Sequence, residues 1–256
     1  MLSPPHFVPM HKVIALITDT HLGDTQNRSE GYDPLKQFED VLRNAALNNA
    51  AYLVFAGDIT EPETYPYFFN RLHNAFPSYK AILGNHDNHT EAVKYYHHTS
   101  ASSTELYYAE EDEYYKYIYL DSSSSYISDP QLQWLEQEID TSKKIVMFIH
   151  HPILSVATGM DSIYPLKNRD ALRTLLHQLS NDVTIFCGHY HMPDKQQVGN
   201  IVQYITPATS FQVKKDSDTI EIYTDYFGYR LITITPQSIN TQLLINRNGT
   251  FEEMAE

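Results

Sequence analysis

The sequence predicts an α/β protein whose sheets carry a substantial antiparallel portion and are covered by helices. Two observations predict it. Short apolar runs and amphipathic stretches alternate through the first 190 or so residues, whereas the last third reads as successive strands with no helix between them. The chain has 256 residues, enough for a single core that buries about three quarters of the unfolded surface without disulfides or a structural metal. One domain over residues 1–256 is expected, with a motif-bearing core over about 12–206 and a C-terminal β segment over about 207–247.

Five short runs rich in β-branched residues read as buried strands, at 13–17, Tyr52–Ala56, 81–83, 145–149 and Val183–Cys187. Three helices between them have readable starts. Asp33-Pro34 supplies an N-cap and a first-turn proline before Leu35, Phe38, Leu42 and Ala45 on one face. Ser128 and Gln131 have capping-box spacing ahead of Leu132, Leu135 and Ile139. Asn168 precedes Leu172, Leu175, Leu176 and Leu179, the stripe of a core-facing helix. Segments 105–110 and 114–120 suggest a mid-chain hairpin. In the last third, 201–206, 219–226, 229–235 and 241–245 read as strands, with Gly228 in a hairpin turn.

Composition excludes several classes. The single cysteine, Cys187, leaves no internal disulfide framework and no zinc site built from several cysteines. A formal net charge of −14 repels phosphate backbones and argues against nucleic-acid binding. No apolar run approaches the roughly 20 residues of a membrane span, and the start lacks the basic and apolar segments of a secretory signal. A soluble cytoplasmic protein with no membrane partner is the expectation. The tyrosine-rich C-terminal hairpin could pair between subunits, which keeps a homodimer among the expected states.

The chemistry is written at the strand ends. After 13–17 come Asp19 and His21; after Tyr52–Ala56, Gly57-Asp58; after 81–83, Gly84-Asn85-His86-Asp87. After 145–149 come His150-His151-Pro152, and after Val183–Cys187, Gly188-His189-Tyr190-His191. Open α/β sheets bind ligands at the carboxyl ends of their strands, and three of these ends carry a glycine that permits a tight turn. If the ends are neighbours, carboxylates and imidazoles crowd into one cleft, where metal ions are the natural counter-charge. Oxygen and imidazole donors without thiolates suit Mn, Fe, Zn or Co. Asp19, His21, Asp58, Asn85, His150, His189 and His191 exceed the needs of one ion and suffice for two if one carboxylate bridges. A pair of ions roughly 3.5–4 Å apart is the common clamp for phosphoryl transfer.

Asp19-Thr20-His21, Gly57-Asp58, Gly84-Asn85-His86-Asp87, His150 and Gly188-His189-Tyr190-His191 together resemble the five motif blocks of the calcineurin-like metallophosphoesterase superfamily, in family order. Within it the chain is most similar to bacterial class III 3′,5′-cyclic-nucleotide phosphodiesterases. The stretch 127–139, His150-His151-Pro152, and the tail from Pro207 to Ile232 with Phe211-Gln212, Asp216-Ser217-Asp218 and Gly228-Tyr229-Arg230 extend the similarity over nearly the whole chain. The resemblance implies a four-layer α-β-β-α sandwich of two mixed sheets flanked by helices. It implies one ion on Asp19, His21, Asp58 and His191 and a second on Asp58, Asn85, His150 and His189. Asp58 would bridge beside a water or hydroxide that attacks phosphorus, and His86 would protonate the leaving oxygen as general acid. The implied substrate is a small phosphodiester, a cyclic nucleotide such as cAMP. Another phosphoester (a glycerophosphodiester, a nucleotide-sugar pyrophosphate or a phosphomonoester) is the alternative, and a non-catalytic binding scaffold of the same fold is a second one.

Asp87, His151 and Tyr190 are expected to touch substrate or support the ligands from behind, with a turn-capping carboxylate the other reading of Asp87. Tyr190 and Ile153 replace residues common in relatives and are expected to border the cleft. His73, His89, His97, His98 and His177 read as solvated or packed. The tyrosine pairs at 95–96, 107–108 and 114–115 read as strand and core positions, with stacking on a base as the alternative.

Overall fold

The computed structural model describes residues 11–24, 32–217 and 219–256. Parallel strands β1 (Lys12–Ile17), β2 (Tyr52–Ala56) and β3 (Lys80–Ile82) start the first sheet. The second takes β4 (Tyr108–Glu111), β5 (Tyr115–Tyr119), β6 (Lys144–Phe148), β7 (Val183–Cys187), β8 (Asp194–Val198) and β9 (Ile201–Ile205). β10 (Gln212–Val213) and β11 (Ile222–Tyr223) form a small ribbon, and β12 (Phe227–Ile234), β13 (Ile239–Arg247) and β14 (Thr250–Met254) complete the first sheet. The orders are β14-β13-β12-β1-β2-β3 and β4-β5-β6-β7-β9-β8. Both sheets are mixed. β12 runs antiparallel to β1, and β4 and β8 run antiparallel to the parallel set β5, β6, β7 and β9.

Side-chain alternation sets the layers. In β5, Tyr115, Tyr117 and Tyr119 face the first sheet and join the core of Leu16, Val54, Phe38 and Phe68, while Ile118 and Leu120 face the opposite core with Leu135, Leu172 and Leu176. Helices α1 (Pro34–Leu47) and α2 (Tyr65–Ala75) therefore cover the first sheet. The short α3 (His89–Ala92) follows; α4 (Asp129–Glu138) and α6 (Arg169–His177) cover the second sheet, with α5 (Gly159–Ile163) between them in sequence. The result is the expected α-β-β-α order. One aromatic per strand stacks across the inner face of the second sheet, Tyr108 on Tyr119, Phe148, Phe186 and Tyr204, each at its register partner. Arg230 of β12, fully buried, lies over Tyr204 and donates to the Ile205 carbonyl at 2.9 Å, tying one sheet to the other.

The helix starts fold largely as their sequences read. Asp33 accepts from the Lys36 N–H at 3.0 Å, and Ser128 from the Gln131 N–H at 3.2 Å. The Gln131 side chain, however, turns to the Asp121 backbone rather than back to Ser128. Asn168 caps nothing; its amide holds the N–H and carbonyl of Ile127. Two expected β features change. Gly228 lies inside β12 opposite Ile245 rather than in a turn, at a position where a Cβ would meet the Leu244 carbonyl at 2.5 Å. Of 219–226 only Ile222–Tyr223 is strand: Ile220 and Ile222 are exposed and have no core to face.

Candidate metal centre

The carboxyl ends of β1, β2, β3, β6 and β7 meet at one end of the two sheets, and the backbone welds them. Asp19 and Thr20 N–H groups donate to the carbonyls of Gly57 and Asp58, and the Gly188 N–H donates to the His150 carbonyl. Asp19, His21, Asp58, His189 and His191 all sit at positive φ, five of the nine non-glycine residues among the described ones that do. A left-handed residue just past a strand turns its side chain back over the strand end, and such backbone costs energy that surrounding contacts must offset. Gly84 and Gly188 serve close approach rather than turn geometry: a Cβ on Gly84 would lie 2.2 Å from Asp58 Oδ1, and one on Gly188 2.5 Å from Asp19 Oδ2.

Six of the seven expected ligands fall into two buried triads whose donor atoms lie within 4.8 Å of one another: Asp19, His21 and His191, and Asp58, His150 and His189. The triads share a wall. Asp58 Oδ2 is 3.2 Å from His150 Nε2 in its own triad and 3.9 Å from His21 Nε2 in the other, and Asp19 Oδ1 is 3.9 Å from His150 Nε2. Asn85, half-buried at the end of β3, adds an Oδ1 with no hydrogen-bond partner.

Each imidazole has its far nitrogen occupied, which fixes which nitrogen faces the cleft. His150 and His191 donate from Nδ1 to the carbonyls of Ala56 and Phe211 at 2.7 and 2.9 Å, leaving Nε2. His21 Nδ1 pairs with Thr60 Oγ1 at 3.0 Å, again leaving Nε2. His189 is reversed: Nε2 donates to the Tyr164 carbonyl at 3.0 Å, leaving Nδ1.

Buried polar atoms normally find hydrogen-bond partners. Here Asp19 Oδ1, His150 Nε2 and Asn85 Oδ1 make no well-formed hydrogen bond; the first two meet only other members of the expected ligand set, His191 Nε2 at 3.1 Å and Asp58 Oδ2 at 3.2 Å. Buried nitrogen and oxygen donors that converge on one another fit metal cations. The ionisation pattern agrees. Burial works against the charged form of Asp58 and Asp19, yet the facing imidazoles hold both carboxylates well below their usual range. Burial likewise opposes a charged His150, but Asp58 and Asp19 outweigh it and hold the ring up at about 10. His21 is pushed down to about 4 and His189 to about 3, by burial first and then by the neighbouring charged imidazole. Imidazolium thus supplies the positive charge that the carboxylates require when no cation is bound.

The remaining expected residues separate. His86 is exposed, its backbone N–H donating to Asp58 Oδ1 at 2.9 Å and its ring edge-on to His21 at 5.3 Å. Asp87 takes the turn-capping role: its oxygens accept the N–H groups of Asp58, Gly84, Ile59 and Thr60 at 2.7–3.2 Å, locking the β2 and β3 loops together. His151 is buried behind the centre, with Nδ1 on Ser122 Oγ at 2.9 Å and its ring 4.0 Å from His189. Tyr190 and Ile153 do not border the cleft. Both are fully buried in the core beneath α4 and α6, since the strand-end loop turns Tyr190 inward, where its hydroxyl meets Asp161. Of the tyrosine pairs, Tyr96, Tyr107, Tyr108 and Tyr115 are core, and His98 stacks on Tyr108 at 3.9 Å.

The sequence reading missed the groups that orient the rings: the carbonyls of Ala56, Tyr164 and Phe211, and the Thr60 hydroxyl. Backbone carbonyls carry no residue-type signal. It also missed Ser210, whose hydroxyl donates to the Asp19 carbonyl at 2.7 Å, and the packing of the Phe211 ring 4.4 Å from His191.

The chain is similar to several known proteins. A probable cyclic nucleotide phosphodiesterase from Fibrobacter succinogenes is 29% identical over 214 residues, covering 78% of this chain and 80% of its own. A probable glycerophosphodiester phosphodiesterase from Arcobacter nitrofigilis is 28% identical over 64% of this chain and 65% of its own. A dimetal phosphatase from Danio rerio superposes with a TM-score of 0.61 at 15% identity, covering 91% of this chain and 98% of that one, which shows a shared fold. The calcineurin-like phosphoesterase pattern matches residues 12–193, from the first strand through the Gly188–His191 loop. With all five ligand-bearing strand ends inside that match, the chain belongs to the calcineurin-like phosphoesterase family and is a metal-dependent phosphoester hydrolase.

Proposed function

We propose that this hydrolase is a dinuclear phosphodiesterase whose substrate is a small phosphodiester, a 3′,5′-cyclic nucleotide such as cAMP. The observation that carries the reading is the common wall of the two triads, with Asp58 Oδ2 within 4 Å of an imidazole nitrogen on each side. Asp19, His21, Asp58 and His191 would hold one ion, and Asp58, Asn85, His150 and His189 the other. When bound, the ions supply an activated nucleophile and neutralise the phosphate oxygens. Mn, Fe, Zn and Co all accept this donor set.

The chain's own residues do the rest. Asp58 is held on both sides at once, so it fixes the distance between the triads. His86 stands outside the ligand set and is exposed, so its ring can give a proton to the departing oxygen and regain one from solvent. Asp87 keeps the Asp58 and Asn85 loops in register through its four N–H contacts.

The Fibrobacter relative's name favours a cyclic nucleotide, and the Arcobacter relative's name supports a glycerophosphodiester as the second reading. A scaffold has no need of an exposed histidine beside converging buried donors. A substrate panel tests the choice. Protein loaded in turn with Mn, Fe, Zn and Co is assayed on cAMP, a glycerophosphodiester, bis(p-nitrophenyl) phosphate and p-nitrophenyl phosphate. Cyclic-nucleotide turnover above the other natural esters is expected; preferential release of glycerol phosphate or inorganic phosphate would move the assignment.

A further inference from the structure

Outside the ligand set, one buried carboxylate acts on the ligand-bearing loop from two directions. Asp161 lies in α5 and is 7% exposed. Its Oδ1 accepts from Tyr190 Oη at 2.6 Å and from Arg169 Nη1 at 2.5 Å. Tyr190 sits between His189 and His191, so the first contact pins that loop from inside. The second ties α5 to the start of α6.

The other direction runs through Tyr164. Its N–H closes the end of α5 on the Met160 carbonyl at 2.8 Å, and its own carbonyl accepts from His189 Nε2 at 3.0 Å. That carbonyl selects the His189 tautomer with a lone pair on Nδ1, the nitrogen left to face Asp58 and His150. Among the donor histidines His189 alone uses this ring orientation, so losing the carbonyl would turn the wrong nitrogen, or a proton, into the cleft. Beyond Tyr164 the chain is anchored by buried Leu166 and by the Lys167 N–H on the Ser125 carbonyl at 3.0 Å, so α5 sets the near side of the carbonyl. Met160 packs into the core, but Ile163 and Tyr164 are each about half exposed, at 50% and 51%.

Resting on the reading that the triads bind metal, we infer that Asp161 is a positioning residue for the second triad, setting the ring orientation of His189 through Tyr190 and the Tyr164 carbonyl. His191 of the first triad hangs on the same loop, but the rings of that triad take their orientation elsewhere. His191 is oriented by the Phe211 carbonyl and His21 by the Thr60 hydroxyl, neither of which lies in α5. Partners behind a metal ligand typically change affinity by about 10–100-fold.

The test uses metal-stripped full-length protein titrated with Co(II), following heat and the visible ligand-field bands that report coordination. Wild type, Asp161→Ala, Asp161→Asn and Tyr190→Phe are compared, with thermal unfolding of each metal-free protein alongside. In Asp161→Ala one of the two binding steps is expected to weaken about 10–100-fold with altered bands for that ion, and the other to stay at its wild-type affinity. Asp161→Asn, which keeps an acceptor, is expected to recover part of the loss. Tyr190→Phe, which keeps the ring and removes only the hydroxyl, is expected to weaken the same step if Asp161→Ala does not fold. Two unchanged steps, or equal weakening of both, would overturn the inference. A wild type that takes up fewer than two Co(II) ions would overturn the reading of the triads themselves.

Discussion

Asp58 Oδ2 lies 3.2 Å from His150 Nε2, and the far side of that imidazole is held by the Ala56 carbonyl at 2.7 Å. The carboxylate therefore faces a ring that cannot turn away, one strand end against another across the two sheets. The same oxygen reaches within 3.9 Å of His21 Nε2. Asp58→Ala is expected to lose more metal than any other single ligand substitution, because two cations would then sit close together with less negative charge between them. Elemental analysis of purified variants checks this. Near-full occupancy of both sites in Asp58→Ala would remove the bridge.

The charge state of His150 predicts proton-coupled metal binding. Its ring is held up at about 10 in the metal-free protein by Asp58 and Asp19, against the pull of burial. A metal ligand must be neutral, so binding near neutral pH displaces a proton and affinity rises with pH. Calorimetry in buffers of different ionisation enthalpy reads the proton; a heat that does not depend on the buffer would contradict it. The stability of the metal-free fold runs the other way. His150 is raised above its ordinary 6.5, so its contribution is complete below about 6.5 and fades as pH climbs through about 10.

His86 should separate metal binding from proton donation. A sugar alkoxide leaves poorly without a proton, whereas p-nitrophenolate leaves unaided. His86→Ala is expected to keep its metals and lose about 10²–10⁴-fold on a cyclic nucleotide, with a far smaller loss on bis(p-nitrophenyl) phosphate. The ratio of the two losses on metal-replete protein is the readout. Equal losses would make His86 a phosphate-positioning group.

Asp87 carries the loops. Removing it strands four backbone N–H groups, each costly to leave unpaired in a buried turn. Asp87→Ala is expected to destabilise the metal-free protein by more than ~3 kcal/mol in denaturant unfolding. Asp87→Asn, which turns donors toward donors, is expected to recover little. A loss below ~1 kcal/mol would mean that water replaces the carboxylate.

The strand ends were legible because each pairs an apolar run with residues that have no reason to crowd together unless a cation joins them. The partition of the seven ligands came from resemblance and not from spacing; six of the seven fall into the two triads, with Asp58 in one of them and Asn85 in neither. β8 and β14 were invisible because Asp194–Val198 and Thr250–Met254 are polar edge strands with little apolar alternation. Helix α2 hid behind its aromatics: Tyr65, Phe68, Phe69 and Leu72 do keep helical spacing, yet Thr64 makes no capping bond to announce the start. Tyr190 misled for a different reason. A residue between two ligands reads as cleft-lining, but alternation past the strand end sends it into the core toward Asp161, a partner far away in sequence.

The central claim is that paired ions act together on a phosphodiester. Metal-stripped protein is reloaded stepwise, and hydrolysis of cAMP is followed by phosphorus NMR against bound metal per chain. The account predicts little turnover while the first equivalent binds, a rise as the second fills, and a nucleoside monophosphate as product. Full activity with a single ion, or none with both sites filled, would contradict it.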